Sequence, residues 1–171
     1  STTAELPVFR GSRLMPGVDL DDSAALLDLM QGPALILPDV NVLVYAFHEG
    51  APDHGRYRGW LESAIASDEP FGLSGLVLSG FVRVATHPRV FDPPAPIGRA
   101  LAFAEALRAQ PNAVVVAPGL RHWEIFDRLC RAVDAKGNLV PDAYLAALAI
   151  ESGSEWITAD RGFARFPGLR W

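Results

Sequence analysis

Apolar residues fall along this chain in short blocks, and the texture of those blocks changes near residue 34. Before it, Leu6, Phe9, Leu14, Val18 and Leu20 are scattered among Pro7, Gly11, Pro16 and Gly17 with neither a helical nor a strand period, so residues 1–21 read as an extended arm. Asp22-Ser23 then offers a helix N-cap, and residues 24–30 make a short apolar helix ending near Gly32-Pro33. The arm and its helix hold too few apolar residues to fold alone and must lie on another surface.

From Leu35 the pattern is that of a folded domain. Leu35-Ile36-Leu37 stops at Pro38-Asp39, as a buried parallel strand does. Further strands are expected over 71–73, 113–116 and 156–158. Helices are expected over 42–47, 52–65 (Trp60, Leu61 and Ile65 apolar), 75–86, 96–110 (Ile97, Leu101 and Leu107 inward), 123–133 and 141–150. His87-Pro88 ends the third of these helices, and the last has Pro141 in its first turn and Gly153 at its end. Strands alternating with helices predict an α/β fold with a mostly parallel central sheet and helices on both faces. The chain divides accordingly into an arm, residues 1–33, and one domain, residues 34–171.

Composition narrows the class. Half of the 171 residues are hydrophobic and 20% are charged, which suits a compact folded protein. No apolar run reaches the roughly 20 residues of a membrane helix. No basic-then-apolar leader pattern opens the chain. The single Cys130 excludes an internal disulfide and fits a reducing cytoplasm; on a helix it reads as a small buried hydrophobe. The net charge of −5 is uneven: residues 1–33 carry five acids and two bases, the remainder 15 acids and 13 bases. Global charge therefore gives no direct sign of nucleic-acid binding, and any such function must come from local chemistry.

That chemistry lies at the strand ends. Sites in parallel sheets form beyond the carboxyl ends of strands. Asp39 and Asp160 each follow an apolar strand, and Asp142 falls in the first turn of a helix. Three converging acids without an interleaved lysine repel one another, and a hard divalent cation relieves that repulsion. Oxygen-only ligands suit Mg²⁺, with Mn²⁺ as the substitute, and no His or Cys has zinc-ligand spacing. Such a cluster is apparatus for attacking a phosphodiester. The plainer reading is that acids commonly follow strands and that Asp142 favours a helix N-terminus electrostatically.

Four local motifs add to this. Leu37-Pro38-Asp39-Val40-Asn41 leading into Val42 to Ala46 resembles the opening of a PIN domain. Gly137-Asn138-Leu139-Val140-Pro141-Asp142-Ala143 and Thr158-Ala159-Asp160-Arg161-Gly162-Phe163 resemble its later acidic motifs. With Phe81-Val82-Arg83-Val84-Ala85-Thr86-His87-Pro88, these resemble in order the VapC toxins, the ribonuclease partners of VapBC toxin–antitoxin pairs. The resemblance spans 35–171. It implies a PIN-like α/β/α sandwich, Mg²⁺-dependent hydrolysis of tRNA or ribosomal RNA at single-stranded loops, and a homodimer. Asp39, Asp142 and Asp160 are then catalytic and metal-binding, and Asn41 and Thr158 either orient acids or water or simply cap. One position departs. Many PIN nucleases carry a glutamate six residues beyond the serine matching Ser74, and here that position is Gly80. Either three carboxylates suffice, or Glu124 or Asp127 substitutes, or activity is weak and the domain is a binding scaffold.

Leu6 to Leu20 followed by Ala24 to Met30 resembles the C-terminal arm of a VapB antitoxin, the part that wraps the toxin, joined here to it naturally or artificially. Arg10 and Arg13 are the only bases of the arm, and a guanidinium binds carboxylates bidentately. At least one of them is expected to enter the acidic site, holding the nuclease inhibited within one chain or between copies. Two other acidic-cluster proteins fit less well. A duplex-cutting nuclease needs a basic track, and a phosphotransfer receiver needs paired acids and a strand-end lysine, whereas Lys136 stands alone elsewhere.

Overall fold

A computed structural model of the protein describes residues 34–171. The arm, its helix over 24–30, and Arg10 and Arg13 lie outside the described residues. Four short strands form one parallel sheet: β1 (Ile36–Pro38), β2 (Phe71–Leu73), β3 (Ala113–Val115) and β4 (Glu155–Ile157), in the spatial order β3-β2-β1-β4. Helices α1 (Val40–Phe47) and α2 (His54–Ala66) join β1 to β2, and α3 (Gly75–Ala85) and α4 (Ile97–Arg108) join β2 to β3. Helices α5 (His122–Ala132) and α6 (Leu139–Ser152) join β3 to β4. The chain winds outward from β1 through β2 to β3, then returns across the sheet to the far side of β1. Parallel crossovers are right-handed, so reversing direction puts α1 to α4 on one face and α5 with α6 on the other. This is the α/β sandwich the alternating pattern predicts.

Central β1 is buried because its neighbours and both helical layers close on it. Leu37, Phe71 and Trp156 are fully buried, one each from β1, β2 and β4. Above the sheet, Val42, Leu43, Val44 and Ala46 make α1 an almost wholly buried helix, and Phe47, Phe81 and Phe103 meet at centroid distances of 5.3, 5.1 and 5.1 Å. Below it, α6 buries Ala143 and Leu145 through Ala149, the signature of a helix apolar all round. Gly153, with φ of +68°, takes the left-handed conformation that ends it.

Pro38 stands in the central strand, where a missing N–H is normally excluded. Asp39 N donates to Ile157 O at 2.8 Å and Ile36 N to Pro70 O at 3.4 Å, so alternation aims the nitrogen of Pro38 at β2. The β1–β2 register consists only of Ile36 opposite Phe71, whereas β1 and β4 pair through Pro38 opposite Ile157. The ladder toward β2 has already opened, and no bond is lost. Three expectations shift. Strand 156–158 begins and ends one residue earlier. In α4 the inward face is Ala100, Ala104 and Leu107, while Ile97 and Leu101 are about half exposed beside the edge strand β3. Cys130 on α5 is half-buried.

Candidate functional site

The reversal of winding at β1 leaves a crevice between the carboxyl ends of β1 and β4, and Asp39 stands in it. Its residue is only 6% exposed. Asp39 is also the N-cap of α1, with Oδ1 accepting from the Val40 amide at 2.6 Å. Its Oδ2 accepts from Thr158 Oγ1 at 2.6 Å and from Asn41 Nδ2 at 2.9 Å. Thr158 Oγ1 accepts in turn from Asn41 Nδ2 at 3.2 Å and from the Asp160 amide at 3.0 Å, while Asn41 Oδ1 accepts from the Ala159 amide at 3.2 Å. Asn41 and Thr158 thus join β1 to the segment after β4 through Asp39. Asp142 is half-buried in the first turn of α6. Asp160 is exposed, with Oδ1 accepting from the Gly162 amide at 2.7 Å.

The three carboxylates act on one another. Burial pushes the Asp39 carboxyl above its ordinary range; the Thr158 and Val40 hydrogen bonds draw it back, and the negative charges of Asp142 and Asp160 raise it again. Asp142 is also raised, first by burial and then by Asp160, against the opposing positive charge of Arg165. Arg165 is a basic residue that spacing did not single out, because its proximity depends on a turn. Residues Arg161–Arg165 form a 3-10 helix capped by Asp160, an element absent from the expected pattern. Neither Glu124 nor Asp127 is among the charges acting on Asp39 or Asp142. Glu124 is exposed in the first turn of α5. Asp127 is paired to Arg131 at 2.9 Å, which holds its carboxyl below the usual range.

The donor set fits a hard cation: oxygen ligands only, mutually repelling, one of them buried at a strand end. It is not a ready-made chelate. Among the described residues no three His, Cys, Asp or Glu side chains are gathered closely enough to hold an ion together. Such a set suits Mg²⁺, which keeps several waters and takes one or two carboxylates, better than a cation that demands a complete protein cage.

The missing glutamate has a steric counterpart. A Cβ placed on Gly80 meets Val40 Cγ2 at 2.8 Å, closer than real Cβ contacts come. Helix α3 approaches α1 here so tightly that no side chain fits unless Val40 moves. Gly75, the first residue of the same helix, has nothing within 4 Å of its Cβ position.

The family model described as PIN domain matches residues 36–169. Among curated relatives, ribonuclease VapC43 of Mycobacterium tuberculosis is 49% identical over 137 residues, covering 80% of this chain and 93% of its own. Ribonuclease VapC25 of that organism is 41% identical over 136 residues, covering 80% and 96%. Among solved structures, a chain of VapBC2 from Rickettsia felis, bound to a promoter DNA fragment, superposes with a TM-score of 0.57 at 18% identity, covering 80% of this chain and 96% of that chain. Mycobacterium tuberculosis VapC20, described as a sarcin-ricin loop cleaving toxin, gives 0.54 at 18% identity, covering 80% and 99%. At that identity the two structures speak for the fold alone. A unit of this size is nearly the whole chain in each relative.

Two expected outcomes follow from this geometry. Gly80→Ala is less stable than Gly75→Ala by about 1–3 kcal/mol in urea denaturation, the size of an overpacking clash; equal midpoints would show that α3 and α1 yield freely. Asp39 and Asp142 have raised folded-state pKa values, so the metal-free fold binds their protons more tightly than the unfolded chain does. Their contribution is full below the ordinary carboxylate range and is lost as pH rises through the raised values. Asp142→Asn therefore loses less stability than the parent between acid and neutral pH, and its melting temperature responds less to Mn²⁺. Identical pH profiles and identical Mn²⁺ responses would contradict the coupling.

Proposed function

The chain belongs to the PIN-domain family, in its VapC group, and on that premise we propose that it is a metal-dependent endoribonuclease, the toxin of a type II toxin–antitoxin pair. The observation that carries the reading is the buried Asp39 carboxylate at the β1–β4 crevice, tied to Thr158 and Asn41 and electrostatically joined to Asp142 and Asp160. The two curated relatives named above are ribonucleases, and in this reading the acidic cluster here is directed at RNA phosphodiesters in the cytoplasm, with tRNA or ribosomal RNA loops as the substrate class.

In this reading Asp39, Asp142 and Asp160 hold Mg²⁺, or Mn²⁺ in its place, and no other cofactor. When bound, the ion supplies a Lewis acid that acidifies the attacking water and neutralises the leaving oxygen. The rest is done by the chain. Thr158 and Asn41 fix the Asp39 carboxylate in one orientation, since Oδ2 receives both of their hydrogen bonds. Asp142 makes no hydrogen bond to another described residue, so its oxygens are available to orient water for in-line attack. Asp160 is locked on its turn by the Gly162 amide. The antitoxin-like arm, residues 1–33, is the inhibitor: Arg10 or Arg13 takes the place of metal and phosphate at the carboxylates. The connection over 31–34 is short, so this inhibition acts within one chain or by exchange between copies.

A second copy of the chain is the remaining partner. Beside Asp142 lies an apolar cleft of about 510 Å³ lined by Leu76, Val116, Phe126, Val140, Pro141 and Tyr144, among others. Trp123, 70% exposed, leans on Phe126 at 5.3 Å, and Leu76 and Val140 are exposed as well. Contiguous apolar surface of this kind marks an interface. Meeting there, two copies bring their acidic edges together.

A second reading has one observation in its favour: at Gly80 a side chain fits only if Val40 moves, which disfavours a further acid there and leaves the domain a weak nuclease serving as a binding scaffold. Cleavage of RNA in Mg²⁺ separates the two. Residues 34–171 cut at least about tenfold faster than the whole chain, a release of roughly 1.4 kcal/mol, and Asp39→Ala brings cutting to background. Equal rates with and without the arm sink autoinhibition, and an Asp39→Ala as active as its parent leaves the scaffold reading. By light scattering the protein is a dimer and Trp123→Glu a folded monomer; a monomeric parent removes the proposed interface.

A further inference from the structure

The 3-10 turn after β4 carries more than a carboxylate. Phe163 and Phe166 are 2% and 3% exposed and pack on Trp156 and on each other at 5.3 and 5.7 Å, so the turn is anchored in the core at two points. Just before the anchors, Gly162 serves two side chains. Its amide donates to Asp160 Oδ1 at 2.7 Å, and its carbonyl accepts from Arg165 Nε at 2.8 Å. A Cβ on Gly162 would meet Asp160 Oδ1 at 2.9 Å, so a larger residue would push the carboxylate out of place. One glycine thus holds an acid and a guanidinium in fixed relation at the same edge of the sheet.

Arg165 is exposed and is not a member of any of the four ion pairs among the described residues. Its Nε is used by the Gly162 carbonyl, which orients the group and leaves Nη1 and Nη2 uncommitted among those residues. It is also within electrostatic reach of Asp142. A pre-oriented guanidinium with two free amino groups is a receptor for a phosphate, which it binds bidentately. The domain, net negative over 34–171 by its 15 acids and 13 bases, has no surplus of charge to attract RNA at large. A local cation beside the acidic edge supplies what the overall charge does not.

We propose that Arg165 is an RNA-binding residue of this nuclease, its guanidinium receiving a backbone phosphate adjacent to the one cleaved at Asp39, Asp142 and Asp160. The inference rests on the nuclease reading. Its test is the salt dependence of binding to a fluorescein-labelled single-stranded RNA in Ca²⁺, with the oligonucleotide verified intact afterwards. The whole chain and residues 34–171, which correspond to nearly a full relative, are measured in parallel. Arg165→Ala weakens binding by about tenfold, one charge-assisted contact, and lowers the slope of log affinity against log salt by about 0.7, one phosphate on a single strand. Arg165→Lys keeps the slope while losing part of the affinity. A merely structural role lowers the melting temperature and leaves the slope untouched, and an unchanged slope in Arg165→Ala overturns the assignment while leaving the nuclease reading standing. Absence of RNA binding by both parent forms overturns the nuclease reading and this inference together.

Discussion

A carboxylate buried at the end of the central strand is the constraint on which the rest of this domain turns. Leaving Asp39 desolvated and alone costs several kcal/mol. Hydrogen bonds to a charged group return about 1.5–3 kcal/mol each, and here one comes from the next amide and two from side chains, Thr158 and Asn41. Thr158 lies 119 residues away in sequence. It arrives only because the chain reverses direction after β3 and lays β4 against β1. The sheet order and the two helical layers are consequences of that return, and the acidic crevice is where it closes.

Much of this was legible in the sequence because it depends on local patterns. Apolar triplets ending at Pro38-Asp39 and before Asp160, and a wholly apolar helix behind Asp142, carry both the alternation of strands with helices and the carboxyl-edge position of the acids. What escaped was what depends on packing between distant segments. On the inward face of α4, Leu107 is buried as expected, but Ala100 and Ala104 stand there in place of Ile97 and Leu101. The turn Arg161–Arg165 has no period long enough to announce itself, yet it places a cation among the acids. The motif resemblance to PIN domains supplied the connection between three separated aspartates that no spacing rule provides.

The electrostatic character of the site is local, and its surroundings make it so. The domain is slightly acidic overall, its cations are largely arginines, and several of these are paired to nearby acids on their own helices, as Arg58 is to Glu62 and Arg131 to Asp127. Exposed pairs of that kind contribute little to stability and project little field. Against so neutral a background, the three aspartates and the neighbouring guanidinium form a distinct alternation of sign. Recognition of a polyanion by such a surface depends on alignment at close range more than on long-range attraction, which favours a substrate whose shape brings one phosphate to the crevice.

The contact between Gly80 and Val40 has a further bearing. Val40 follows Asp39 directly and begins α1, so the side chain that closes the space over α3 also sits where the carboxylate leaves the sheet. The two positions are therefore in direct steric contact. A side chain at 80 finds room only if Val40 yields. Filling position 80 therefore presses on the helix that begins at the buried carboxylate, so the packing of α3 on α1 and the placing of Asp39 are a single adjustment.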